Sequence, residues 1–152
     1  MTDMSHWRTP TQYLEAFPDC LLIVRVSHDE ATRDRDFEKV TMFIEGHKRF
    51  LPRALVYSTG TTFNAKQRRG MVSTLSGMRV SFMTDSKKAQ YVIRGVSWFN
   101  PNVKAFSEME GQQATSFLEL PGASASRLLE RLEAVRRVLG VGDALHLQSR
   151  CS

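Results

Sequence analysis

The residues best suited to chemistry lie in two short polar runs, Ser58-Thr59-Gly60-Thr61-Thr62 and Thr84-Asp85-Ser86. Each follows an apolar run of strand length and precedes a helical pattern. Serine, threonine and aspartate stop strands because their side chains bond nearby backbone, and they cap helices for the same reason. Cations follow both runs: Lys66, Arg68 and Arg69 after Asn64, and Lys87 and Lys88 after Ser86. A helix start offers free N–H groups and about half a positive charge, so a cation there is unfavourable by roughly 0.3–1 kcal/mol. A phosphate or an acidic partner would offset that cost. The expected binding edge is therefore Thr59, Thr61, Asn64, Lys66, Arg68, Asp85, Lys87 and Lys88. The plainer alternative makes Asn64 and Ser86 ordinary caps and leaves the cations solvated.

Other chemistry has weaker support. Asp85 beside two lysines would hold a cation or orient a hydroxyl, although such an aspartate more often only closes a turn. His28-Asp29 with a nearby serine suggests a hydrolase, and an enzyme reading would pair His28 with Asp85. No GxSxG elbow accompanies them. The four histidines form no HExxH spacing, and no catalytic residue or metal ligand is assigned. His47 falls on an apolar helix face and reads as a hydrogen-bonded core residue. No GxGxxG and no P-loop occurs, so no cofactor is expected. Trp98 and Phe99, near a helix end before Asn100-Pro101, read as core packing because aromatic side chains are usually buried, with an exposed binding patch as the alternative.

Positioning these residues requires strands and helices in alternation. Gln12–Ala16, a Pro18-Asp19 turn and Leu21–Val26 read as a β-hairpin, with a helical turn as the alternative for the first part. A helix is expected over Asp34–Phe50, with Phe37, Val40, Ile44, His47 and Leu51 on its apolar face. Ala54–Ser58 is a strand. Asn64 opens a thin helix, with Gln67 completing a capping box. Met78, Val80, Phe82 and Met83 mark the next strand. Ala89, Val92, Ile93 and Val96 mark a helix that stops before Pro101. Val103–Phe106 is the last strand, followed by a helix over Glu110–Leu118. After Pro121-Gly122, Leu128, Leu132, Val135 and Leu139 form the stripe of a helix over Ser124–Leu139.

The fold class is α/β: an N-terminal hairpin, then a mostly parallel sheet of four to five strands with helices packed on it. Parallel strands end on one edge, where open α/β sheets bind ligands. The domain spans 1–122, an amphipathic helix spans 123–139, and 140–152 is a flexible tail.

At 152 residues, 41% hydrophobic and 24% charged, the chain is an ordinary single globular domain. Its net charge of +5 permits an acidic partner. The cations are scattered rather than run together, which argues against nucleic acid. No run approaches the ~20 apolar residues that span a bilayer, so no membrane insertion is expected. Two cysteines, Cys20 and Cys151, form no CxxC, and the N-terminus lacks signal-peptide order. A cytoplasmic protein is the expectation.

Two stretches, Phe63–Arg69 and the segment from Thr84-Asp85-Ser86 through Val92–Pro101 to Val103–Phe106, resemble bacterial STAS-like domains. These are named for sulfate transporters and anti-sigma-factor antagonists. The resemblance covers roughly residues 12–120 and is nearest to small stand-alone members. It implies a non-enzymatic signalling module with a protein partner, switched by phosphorylation of a serine at a strand-to-helix turn. By element order that serine is Ser58; by local motif it is Ser86. The alternative function is a small-molecule, anion or lipid-phosphate binding domain using the same basic edge. A homodimer is compatible with either.

Overall fold

In the computed structural model, residues 6–9, 11–26, 34–59 and 65–139 are described. One six-stranded sheet forms the middle layer, in the order β1 (His6–Arg8), β2 (Gln12–Ala16), β3 (Leu21–Arg25), β4 (Arg53–Ser58), β5 (Arg79–Thr84) and β6 (Val103–Ser107). The first three strands run antiparallel and the last four parallel. The hairpin is thus a hairpin and not a helical turn, because Tyr13 and Leu14 bury on opposite faces of the sheet. The sheet has one strand more than the four to five expected, because β1 precedes the hairpin and joins its edge. This strand pairs with β2, and Trp7 packs on the apolar layer beneath.

The helices are α1 (Asp34–His47), α2 (Ala65–Thr74), α3 (Lys87–Phe99), α4 (Gly111–Phe117) and α5 (Gly122–Val138). Strands β3 to β6 lie side by side in chain order. A right-handed crossover repeated in one direction lays each connecting helix on the same face. The core divides accordingly. Ile44 of α1, Leu75 after α2 and Ile93 and Val96 of α3 pack on Ile23, Ala54, Val80 and Phe82. The other face buries Leu22, Val24, Leu55, Tyr57, Met83 and Phe106 under Ala114 of α4 and Leu128, Leu132 and Val135 of α5. The stripe expected in the last helix is therefore buried on the chain's own sheet.

The parallel order has a consequence for ligand binding. Strands β3 to β6 never reverse direction of travel, so no crevice opens between helices diverging to opposite faces. The strand-end edge is present, but among the described strands the switch point that makes such edges concave is absent.

The helix termini follow from local chemistry. Ser86 caps α3, accepting the Ala89 N–H at 3.2 Å. Gly77, at φ +79°, turns the chain out of α2 and into β5. Asn100 ends α3 before Pro101, and its Nδ2 donates to the Leu75 carbonyl at 3.5 Å. Lys48 closes the same end by donating to the Thr74 carbonyl at 3.1 Å. The expected tail, 140–152, lies outside the described residues.

Candidate functional site

The register aligns the ends of the parallel strands. Arg25 pairs with Ser58, Ser58 with Thr84 and Thr84 with Ser107, while Gln12 opposes Arg25. In-register neighbours point to one face. The result is a polar row, Gln12–Arg25–Ser58–Thr84–Ser107, that ends the apolar rows beneath α1, α2 and α3. Gln12, Arg25, Ser58 and Thr84 are all buried.

Arg25 is the most constrained member. It is 7% exposed. Its Nη1 donates to Gln12 Oε1 at 3.2 Å, and its Nη2 stands 3.8 Å from Asp36 Oδ2. Gln12 Nε2 donates to the Asp36 carbonyl at 3.4 Å. The Arg25 Nε is buried without a partner. Burial pulls the guanidinium below its usual range, and Asp36 opposes that shift. Sequence reasoning passed over Arg25. A cation inside the apolar run Leu21–Val26 was the available signal; its partner Gln12, thirteen residues earlier, was not locally visible.

Arg25 and Ser58 line an apolar cavity of about 50 Å³ with Phe37, Val40, Met71 and Phe82. An open groove of about 550 Å³ runs between α1 and α2, with Phe37, Glu38, Thr41, Lys66, Gln67 and Gly70 in its walls. The two share Phe37, Thr41 and Thr74.

The second turn is built differently. Thr84 Oγ1 accepts the Ser86 N–H at 3.1 Å, and Gln90 Nε2 donates to the Thr84 carbonyl at 3.2 Å. These bonds hold Ser86 half-exposed, with Asp85, Lys87 and Lys88 exposed around it. At the end of β6 the Ser107 N–H donates to Glu110 Oε1 at 2.8 Å, which holds that carboxyl below the usual carboxylate range.

Behind the edge, on the α5 face, the buried Tyr57 hydroxyl donates to Glu108 Oε2 at 3.5 Å. Arg136 reaches the same oxygen at 3.2 Å, and its guanidinium lies 4.7 Å from the Tyr57 ring centroid. Burial pushes Tyr57 up to about 12, with Arg136 opposing. These three residues are far apart in sequence and no motif joins them.

The expected site residues divide as follows. Ser58 is buried in the polar row. Thr59 is half-buried, its N–H donating to the Arg25 carbonyl at 3.1 Å. Lys66 and Arg68 are exposed on α2. Asp85, Ser86, Lys87 and Lys88 form the adjacent turn. Thr61, Asn64, His28 and Asp29 lie outside the described residues. His47 sits at the opposite end of α1, its Nδ1 2.8 Å from the Phe43 carbonyl. Among the described residues no three His, Cys, Asp or Glu side chains converge as metal ligands, and no helix is long and apolar enough to cross a membrane. The described edge is equipped for hydrogen bonding and charge pairing.

Trp98 departs from expectation. It is 88% exposed rather than packed in the core. At about 100° per residue it stands roughly 140° around α3 from the buried Ile93. Angular position outweighs the general tendency of aromatic rings to bury.

No family model, no curated protein and no solved structure matches the chain.

Proposed function

We propose that the chain is a regulatory protein-interaction module of the STAS-like kind, which receives an acidic protein partner at the ends of β4 and β5. One observation carries this reading. The helices that begin at that edge, α2 and α3, hold Lys66, Arg68, Arg69, Lys87, Lys88 and Arg94 and no acidic residue. The hairpin followed by three βα units agrees with the STAS-like resemblance.

The switch residue in this reading is Ser86. It is half-exposed, whereas Ser58 is 2% exposed and would need the edge to open before modification. A phosphate on Ser86 adds about two negative charges and three acceptor oxygens at a helix start beside Lys87 and Lys88. That changes the charge an acidic partner meets. Affinity purification of the tagged chain from its native cell, with mass spectrometry of bait and prey, tests this. A stoichiometric acidic protein, lost on Lys87→Glu/Lys88→Glu, with phosphate on Ser86, is the expected result. A bait recovered alone and unmodified overturns it.

A second reading rests on a separate observation. The α1–α2 groove contains Lys66 and adjoins the cavity where Arg25 keeps an unpartnered Nε. A small organic anion with a short apolar body fits that chemistry. Thermal shift with short-chain carboxylates and inorganic phosphate checks it: a midpoint raised by the carboxylates and not in Arg25→Met supports it, and no shift rejects it.

A further inference from the structure

The outward ridge of α3 alternates cations and rings. Lys87 and Lys88, then Tyr91, then Arg94, then Trp98 follow at intervals of about one turn, all exposed. Tyr91 is 77% exposed and Trp98 88%. Neither ring serves the fold, because the inward arc of α3 is supplied by Ile93 and Val96. Beside it on the same layer, α2 exposes Lys66, Arg68, Arg69 and Val72. Among the described residues, Lys66, Arg69, Lys87, Lys88 and Arg94 form no ion pair. The opposite layer differs: α5 matches Arg131 and Arg136 with Glu15, Glu108 and Glu133, and carries Glu130 and Glu133 beside Arg127 and Arg137, which form no ion pair among the described residues. Two further exposed apolar side chains, Met42 and Phe50, flank this surface on and just after α1.

We propose that the outer face of α2 and α3 docks on an anionic lipid bilayer. The helices lie along the sheet, so their exposed ridges present a broad surface rather than a point. Tyrosine and tryptophan prefer the headgroup level of a bilayer, where the ring is half apolar and half wet. Val72 adds aliphatic surface to the same face. Five cations without an ion pair, Lys66, Arg69, Lys87, Lys88 and Arg94, match an anionic leaflet, which attracts each lysine or arginine near it. A second copy of the chain is a poor occupant, since a two-fold contact would set these cations against themselves. Single-stranded nucleic acid is also a poorer fit. It favours a cationic groove that tracks the backbone, and the groove described on this layer lies beside α1 with Glu38 in its wall. The inference draws on the same α2 and α3 cations as the partner reading above and adds the exposed rings Tyr91 and Trp98; Trp98→Ala, which leaves every cation in place, separates the two.

The test is sedimentation of the full chain with vesicles of phosphatidylcholine, with and without about 30 mol% phosphatidylserine. The chain should sediment with the anionic vesicles alone and be released by high salt. Trp98→Ala should weaken binding roughly ten-fold through lost apolar area. Arg94→Glu should weaken it by about twenty-five-fold, roughly five-fold per charge unit. Both positions are exposed, so circular dichroism melts should stay as in the parent chain. Equal binding to both vesicles, no binding, or indifference to both substitutions overturns the proposal. So does a labelled single-stranded oligonucleotide that binds more tightly than vesicles and competes the chain off them. Salt-sensitive dimerisation abolished by Arg94→Glu would assign the face to a second copy instead.

Discussion

Arg25 and Ser58 occupy the same rung of the parallel sheet and line the same apolar cavity beneath α1. A cation held there by Gln12 and Asp36 places charge where the rest of the layer is apolar. Replacing Arg25 with alanine strands Gln12 Oε1 in the interior and leaves a void. The expected loss is about 2–4 kcal/mol of stability in urea unfolding. The double variant Gln12→Leu/Arg25→Met removes both polar partners and keeps volume. It should return to within about 1 kcal/mol of the parent. A single variant as stable as the parent would show that the polar row is not a structural requirement.

Alkaline pH should dismantle the α5 face first. Tyr57 is pushed up to about 12 from 10.0, and Cys20 to about 12 from 9.0, both chiefly by burial. The folded state therefore holds these protons harder than the unfolded chain does. The Cys20 contribution is whole below pH 9 and that of Tyr57 below pH 10; both are lost as pH rises through about 12. Stability measured by urea at fixed pH values should fall steadily over that window. In a Cys151→Ser background, Cys20 should resist a disulfide reagent at pH 8 until the chain is unfolded. Prompt labelling in the folded state would contradict its burial.

Ser86 can be tested as a cap apart from any switch. Ser86→Ala removes the acceptor for the Ala89 N–H and should cost about 1 kcal/mol. Ser86→Asp keeps an acceptor and adds charge favourable to the helix start, so it should recover most of that. Chemical denaturation of the three proteins decides it; an alanine form as stable as the parent would mean the cap carries little energy.

Two glycines should respond to alanine in opposite directions. Gly77 sits at φ +79°, where a Cβ is strained although nothing lies within 4 Å of it. Gly77→Ala should destabilise by about 1–2 kcal/mol. Gly95 lies inside α3, and an added Cβ there also meets nothing within 4 Å. Gly95→Ala should stabilise by roughly 0.5–1 kcal/mol through helix propensity. Paired thermal melts give the signs directly.

Much of the layer order was legible because it rests on short-range periodicity. The run Leu21–Val26 reads as a strand from its length and branched residues, and Leu21–Arg25 is the buried strand β3. The stripe Leu128, Leu132, Val135 and Leu139 could only be a helix face, and all four are buried. The turn Thr84-Asp85-Ser86 was legible as a cap because serine bonds its own helix. The strand β1 was not, since three residues carry no period and its pairing with β2 is non-local. Trp98 was misplaced because composition was weighed above its angle around α3.

What the sequence alone determined about this protein is local: which segments are strands or helices, where the caps stand, and which stripes must bury. Those follow from bonds and contacts within a few residues. Only the tertiary structure decided that Gln12, Arg25, Ser58, Thr84 and Ser107 form one row, because strand register joins residues dozens of positions apart. It alone decided that cations scattered along the chain gather on α2 and α3 over one sheet face. The physical reason is the crossover rule: successive parallel strands laid in one direction carry their helices to the same side, and their charges with them.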